Sequence, residues 1–298
     1  MSPSIDLLQA GFDLVAVLLL ALGIKGLSKV SSARGANALA AVAMGLAVLG
    51  LLIQLQPSPI TWLWIAVGAA GGGLAGLLTA QRVPMTAMPE TVALFNGCGG
   101  MASLLVALGV ALYGADNADA VALISIVISV FVGAITFSGS IVAMAKLQGW
   151  LDTPVWTQSP LRHGVNIALA VGSLVGAILL LQDPAGPGLW LLTACSTLLG
   201  VGVTLSNGGA DMPVVISLLN SYSGVAAAAA GFVVGSQLLI VAGAMVGAAG
   251  LILTQVMCTA MNRSLLSVLF GGALGATAAV GGGGKEAGYT RITSCSAE

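Results

Sequence analysis

Three polar side chains, Ser217, Asn220 and Ser221, stand inside an otherwise apolar stretch and could conduct protons or ions. With Gly224 they follow the i, i+3, i+4 and i+7 spacing that places residues on one face of a helix. At about 1.5 Å per residue, Asn220 lies roughly 13 Å beyond Asp211, near the middle of a hydrocarbon core about 30 Å thick. Polar groups at that depth need partners in protein or water, so this face is predicted to point inward. A helix–helix contact and a conducting path both fit this pattern.

Two further stretches carry polar residues at a similar depth. Asn96 lies roughly 9 Å beyond Glu90 along its helix, and Ser140 lies about 9 Å from Lys146 on a helix that runs the other way. Together with Asn220, these side chains could line one hydrated path. Separate hydrogen bonds between helices would give the same pattern, and the sequence leaves both interpretations open.

The composition indicates the class of protein that holds these residues. The chain is 58% hydrophobic and 6% charged, against about 25% charged residues in soluble domains. This predicts a multi-pass membrane protein and argues against a soluble enzyme. The net charge of −1 gives no support for a nucleic-acid partner. Four separated cysteines without a C-x-x-C pair and a single histidine, His163, predict no metal site.

Nine apolar stretches each approach the roughly 20 residues that a spanning helix needs, which predicts an all-α bundle of nine transmembrane helices. All nine Lys and Arg residues fall on one side when the amino terminus is placed outside, as the positive-inside rule requires. The carboxyl terminus is then cytosolic, and membrane lipid surrounds the bundle. The predicted helices cover residues 7–24, 36–55, 60–80, 89–113, 120–145, 163–182, 187–207, 212–233 and 236–259.

Two of these stretches carry glycine at four-residue spacing. The third repeats glycine every four residues over 68–76, and the ninth has Gly243 and Gly247, with Gly250 one turn further on. Small residues at this spacing let helix backbones approach closely, so tight helix packing is their predicted role.

Six sequence blocks, in order along nearly the whole chain, resemble the membrane-embedded beta subunit of proton-translocating NAD(P) transhydrogenase. The blocks are Met-Pro-Glu at 88–90, Thr-Phe-Ser-Gly-Ser at 136–140, Arg-His at 162–163, Gly-Gly-Ala-Asp-Met-Pro-Val-Val at 208–215, Leu-Asn-Ser-Tyr-Ser-Gly at 219–224 and Ala-Met-Asn-Arg-Ser at 260–264.

The resemblance implies a domain organisation and a set of partners. Residues 1–262 would form the transmembrane proton-translocating domain, and 263–298 a Gly-rich linker towards a cytosolic NADP(H)-binding domain that is absent from this chain. An alpha subunit would supply the NAD(H)-binding domain and further membrane helices, and we expect a homodimer of the complex in the bacterial cytoplasmic membrane. The complex would couple hydride transfer between NADH and NADP⁺ to proton movement. No catalytic residue and no cofactor site are then expected on this chain.

The resemblance also assigns residues to a proton pathway. Asn220 matches the functional asparagine of the eighth helix, and Ser140 matches the last serine of its block. Ser217, Ser221 and Asn96 complete the expected pathway. Many members of the family carry a proton-handling histidine where this chain has Asn96, and an amide does not titrate near neutral pH. A titratable relay would then lie elsewhere, on a helix of the partner subunit.

Charged residues at the inner face are expected to couple the membrane domain to the cytosolic domains. Asp211 matches the cytosolic acid of the family, and Arg263 matches the arginine at the membrane exit. The full set of expected docking residues is Glu90, Lys146, Arg162, Asp211 and Arg263.

Two other interpretations remain open. One is a secondary transporter of a small solute, because such proteins bind substrate at polar groups near the membrane midplane; no inverted repeat is apparent in this sequence. The other is a structural anchor, in which the charged inner face only docks a cytosolic partner.

Overall fold

The computed structural model describes residues 3–27, 29, 31–55, 58–114, 119–152, 154, 161–262 and 264–269. Within these ranges the chain is all-helical, with nine helices long and apolar enough to span a membrane and one short helix after them. The helices are α1 (Pro3–Gly26), α2 (Ala33–Leu55), α3 (Pro59–Arg82), α4 (Met88–Tyr113), α5 (Ala120–Leu147), α6 (Leu161–Gln182), α7 (Pro187–Leu205), α8 (Met212–Val234), α9 (Gln237–Ala260) and α10 (Leu265–Leu269).

The predicted fold class and the predicted count of nine membrane helices are confirmed. The largest boundary difference is at α1, which begins at residue 3 where the apolar pattern predicted residue 7. The side of the membrane on which each terminus lies stays a prediction.

Local sequence explains where several helices begin. The Asp119 carboxylate accepts a hydrogen bond from the Ala122 N–H at 2.8 Å at the start of α5, and Ser236 caps α9 in the same way. Such caps satisfy backbone donors that have no partner within the helix. Proline occupies the first turn of α3, α4, α7 and α8, where its missing N–H costs nothing.

The centre of the molecule is built from α4, α5, α8 and α9. Helix α5 packs against α4 on one side and against α7 and α8 on others, so it occupies the middle of the bundle. Its apolar residues Ile126, Val130 and Ala134 are fully buried. The hairpin of α6 and α7 covers α5, and the hairpin of α1 and α2 touches the bundle through α9. This arrangement places the polar residues of α4, α5 and α8 in the interior.

Helix α3 stands apart from this bundle. None of its residues is buried, and a Cβ added at any glycine of its 68–76 stripe would meet no atom within 4 Å. The tight packing predicted for that stripe is therefore absent from the part of the chain that the structure describes.

Glycine brings α8 and α9 into backbone contact. A Cβ on Gly224 would lie 2.8 Å from the Gly243 oxygen and 2.6 Å from the Gly247 Cα, and one on Gly250 would lie 2.9 Å from the Ser221 Cα. Real Cβ atoms do not occupy such positions, so the close approach of these helices depends on glycine.

The short helix α10 packs against the bundle. Val268 is 1% exposed and lies in an apolar cluster with Val214, Val215 and Cys258. The first residues of the predicted linker thus contact α8 and α9. Arg263 and residues 270–298, which make up the rest of that linker, lie outside the described residues.

We predict that Gly224→Ala destabilises the domain by about 1–3 kcal/mol, because the added methyl group forces α8 away from α9. Thermal unfolding in detergent measures the loss, with labelling of the buried thiol of Cys258 on α9 as the readout. Gly72→Ala is the matched control, since a Cβ there meets nothing. Equal unfolding temperatures for the two variants would contradict this account of the contact.

Candidate functional site

The structure joins two of the predicted pathway residues directly. The Asn96 side-chain amide on α4 donates a hydrogen bond to the Ser140 hydroxyl on α5, with Nδ2 and Oγ 3.1 Å apart. Ser140 is buried and Asn96 is half-buried. Gly97 makes the approach possible, because a Cβ there would lie only 3.1 Å from the Ser140 Cβ. The polar groups of α4 and α5 therefore satisfy each other inside the bundle, as groups at this depth must.

Ser217 and Ser221 face α9. The Ser221 hydroxyl donates to the Gly247 carbonyl at 2.7 Å, which is possible because glycine brings the two backbones together. The Ser217 Oγ lies 3.0 Å from the Thr254 Oγ1, and the Thr254 hydroxyl donates to the Gly250 carbonyl at 2.8 Å. These hydroxyls form hydrogen bonds between α8 and α9, which agrees with the first interpretation of the sequence pattern, a contact between helices. Their place in a conducting path stays a prediction.

Asn220 lies on a different part of α8. It is half-buried, between the face that carries Ser217 and Ser221 towards α9 and the face that meets α4, where a Cβ on Gly99 would lie 3.0 Å from the Ser223 Oγ. Its amide makes no hydrogen bond to another residue within the described ranges. The five predicted pathway residues, Asn96, Ser140, Ser217, Asn220 and Ser221, are called the polar seam below. Within the described ranges, Asn220 is the member of the seam whose side chain has no hydrogen bond to a neighbouring helix.

Asn96 and Asn220 lie at matching positions along parallel helices. α4 begins at Met88 and α8 at Met212, so each asparagine follows its helix start by eight residues, or about 12 Å of helical rise. Ala93 of α4 lies in one apolar cluster with Met212 at the start of α8, and a Cβ on Gly99, further along α4, would lie 3.0 Å from the Ser223 Oγ, further along α8. These two contacts show that the helices lie side by side and run in the same direction.

The predicted docking residues fall in several environments. The Lys146 ammonium donates to the Leu205 and Asn207 carbonyls, at 2.5 and 2.6 Å, and so binds α5 to the carboxyl end of α7. A cation suits that end because the helix dipole is negative there. Arg162 is buried at the start of α6, and its Nε donates to the His163 Nε2 at 3.2 Å.

The two acidic docking residues lie at helix starts. Glu90 is in the first turn of α4, and Asp211 immediately precedes α8; both are half-buried. Carboxylates are favoured there because the amino end of a helix carries partial positive charge. Arg263 lies outside the described residues, so the docking role of the set stays a prediction.

One buried hydroxyl that ties three helices together escaped the sequence analysis. Ser129 of α5 is fully buried, and its Oγ lies 3.1 Å from the Ser103 carbonyl of α4 and 3.3 Å from the Ala226 carbonyl of α8. A signal was present: Ser125, Ser129 and Ser140 follow helical spacing on one face of α5. That polar stripe marks the side of α5 that turns towards α4 and α8.

We predict that Lys146→Met lowers the stability of the domain by about 1–2 kcal/mol, because two carbonyls at the end of α7 lose a charged donor. The thermal unfolding temperature in detergent measures the loss. Arg82→Met removes an exposed cation at the end of α3 and is expected to have no measurable effect. A Lys146→Met protein as stable as Arg82→Met would show that these bonds add nothing.

The nine helices of the described ranges that are long and apolar enough to span a membrane define an α-helical, multi-pass membrane protein. Comparison with known proteins shows its family within that class. The sequence model of the NAD(P) transhydrogenase beta subunit family matches residues 9–298, and the chain belongs to this family, as its resemblance predicted.

Two curated relatives illustrate the similarity. The chain is 41% identical over 292 residues to the NAD(P) transhydrogenase subunit beta of Rhodospirillum rubrum, and equally to that of a designated strain of the same species. Each alignment covers 96% of this chain and 62% of the relative. The chain therefore spans less than two thirds of the length of the curated relatives it matches.

Proposed function

We propose that this chain forms the proton-translocating membrane part of an NAD(P) transhydrogenase. The observation that supports this most directly is the polar seam, with the Asn96–Ser140 bond and with Asn220 at the matching position of α8, inside an apolar bundle of the matching family. Protons would cross along this seam, from one face of the membrane to the other.

The side chains of the seam suit such a path. Amides and hydroxyls both donate and accept hydrogen bonds, so they can hold a continuous chain of water molecules. None of them places a charge in the hydrocarbon core, where a charge is costly. Because none titrates near neutral pH, the direction and timing of proton movement would come from helix movement or from a titratable group elsewhere in the complex.

We further propose the partners that the chemistry requires. Bound nicotinamide cofactors supply the hydride transfer between NADH and NADP⁺. NADP(H) would bind a further cytosolic domain of the beta subunit, and NAD(H) would bind the alpha subunit, whose membrane helices would pack beside this bundle. The complex would be a homodimer in the bacterial cytoplasmic membrane, with the amino terminus of this chain outside and its docking residues in the cytosol, as the positive-inside rule indicates.

The inner end of α8 provides a route for coupling. The Lys146 ammonium binds the carbonyl of Asn207 in the connection between α7 and α8, and Asp211 ends that connection. A cytosolic domain that pressed on this connection would move the start of α8 and, through the rigid helix, Asn220. Family membership favours this function over the secondary transporter considered as the alternative, and it makes docking a part of coupling.

We predict that Asn220→Ala in the full complex lowers coupled hydride transfer and proton pumping together by about tenfold or more. The proposed role of this amide is to stabilise the rate-limiting step of proton movement, and a loss of about 1.4 kcal/mol there slows that step tenfold. Proteoliposomes with a pH-sensitive dye and an absorbance assay for nicotinamide reduction report both quantities.

Thr193→Ala is the matched control, because this hydroxyl bonds only to the Leu189 carbonyl of its own helix, outside the seam. Unchanged hydride transfer and unchanged proton pumping in Asn220→Ala would argue against the proposed path.

A further inference from the structure

The first parts of helices α4 and α8 resemble each other in sequence. With Met88 aligned to Met212, six of the 15 positions over 88–102 and 212–226 are identical, namely Met, Pro, Leu, Asn, Gly and Ala. Asn96 is thereby aligned with Asn220. Each helix also follows a single 3-10 turn of three residues, Met85–Ala87 before α4 and Gly209–Asp211 before α8.

The two helices pack against their following helices in the same register. A Cβ on Gly100 of α4 would lie 2.9 Å from the Gly133 oxygen and 3.0 Å from the Phe137 nitrogen of α5. On α8 the equivalent residue is Gly224, which meets the same pair of atoms on α9, the oxygen of Gly243 and the nitrogen of Gly247.

The reciprocal contacts agree as well. Gly133 of α5 meets the oxygen of Gly100 and the nitrogen of Leu104, and Gly243 of α9 meets the oxygen of Gly224 and the nitrogen of Ala228. Leu104 and Ala228 are again equivalent under the alignment of α4 with α8. Sequence and packing therefore point to the same correspondence of α4–α5 with α8–α9.

Equivalent residues also meet between the two units. Gly99 of α4 and Ser223 of α8 occupy equivalent positions, and a Cβ on Gly99 would lie 3.0 Å from the Ser223 Oγ. Two parallel helices touch at equivalent residues when a local axis along the helices relates them.

One difference between the units is a pair of small residues beside the asparagine. In the first unit the pair is Gly97 on α4 and Ser140 on α5, and in the second it is Ser221 on α8 and Gly250 on α9. The serine hydroxyl is thus on the second helix of the first unit, α5, and on the first helix of the second unit, α8. The Ser140 hydroxyl accepts a hydrogen bond from the Asn96 amide, whereas the Ser221 hydroxyl donates a hydrogen bond to the Gly247 carbonyl.

We propose that α4–α5 and α8–α9 are two copies of one unit, and that Ser140 is a positioning residue that fixes the Asn96 amide of the first copy. Asn220 of the second copy has glycine where Asn96 has that serine, so its amide is the one that changes hydrogen-bond partners during proton movement. The role of Ser140 rests on the proposed function, and the repeat itself does not.

The test exchanges the small pair of the first copy for that of the second. Gly97→Ser alone is expected to destabilise the domain, because its Cβ would lie 3.1 Å from the Ser140 Cβ. In the double variant Gly97→Ser/Ser140→Gly the contact has the form it has in α8–α9, so most of the lost thermal stability is expected to return. The thermal unfolding temperatures of the wild type, both single variants and the double variant complete the cycle.

The same variants are then assayed in the full complex in proteoliposomes. The double variant and Ser140→Ala are each expected to lower the number of protons moved per hydride by about fivefold, the effect of one lost hydrogen bond. The matched control is Ser138→Ala, a buried neighbour whose hydroxyl bonds within α5, to the Ala134 carbonyl at 3.0 Å and the Ile135 carbonyl at 3.4 Å. It is expected to leave this ratio unchanged.

Each arm can overturn one part of the proposal. Additive stability losses in the cycle would overturn the repeat. A double variant with restored stability and a full proton ratio would overturn the positioning role, as would Ser140→Ala behaving like Ser138→Ala. A wild-type complex that moved no protons would overturn the proposed function and the role of Ser140 with it, while the stability arm would still decide the repeat.

Discussion

The structure depends on the need to satisfy every polar group inside a hydrocarbon core without water. Small hydroxyl and amide side chains meet that need by bonding across helices. Ser129 reaches carbonyls of α4 and α8, Ser221 reaches α9, and Asn96 reaches Ser140. These bonds hold α4, α5, α8 and α9 together where apolar contacts alone give little preference over lipid.

Such bonds require backbones that approach closely, and glycine provides the approach. Gly97 allows Ser140 to lie against α4, and Gly224, Gly243 and Gly250 bring α8 and α9 close enough for the Ser221 hydroxyl to reach the Gly247 carbonyl. Packing and polar chemistry are therefore the same feature of this bundle. A larger residue at Gly224, Gly243 or Gly250 would move α8 away from α9 and would weaken the bonds between these helices.

Hydrogen bonds hold α8 on the side of Asn220 that faces α9 and at the start of the helix. Ser217 and Ser221 fix α8 to α9, and Lys146 fixes the chain that enters α8. The Asn220 amide, between these fixed contacts and α4, is not bonded to any neighbour among the described residues. A rigid helix with one unengaged amide is suited to transmit a displacement at its end to a polar group at mid-depth.

The sequence by itself determined the class and the nine membrane helices, and it predicted the residues of the seam, because apolar length and helical spacing are local properties. It also indicated that Asn96 and Ser140 lie at one depth. Tertiary structure alone decided which polar groups meet. Ser221 bonds to α9, and the neighbouring Asn220 has no bond among the described residues. The Lys146 ammonium binds the Leu205 carbonyl at the end of α7, and the glycine stripe of α3 packs against no other helix there. The reason is physical: spacing fixes the face of a helix on which a residue lies, but the neighbour of that face depends on how all the helices pack together.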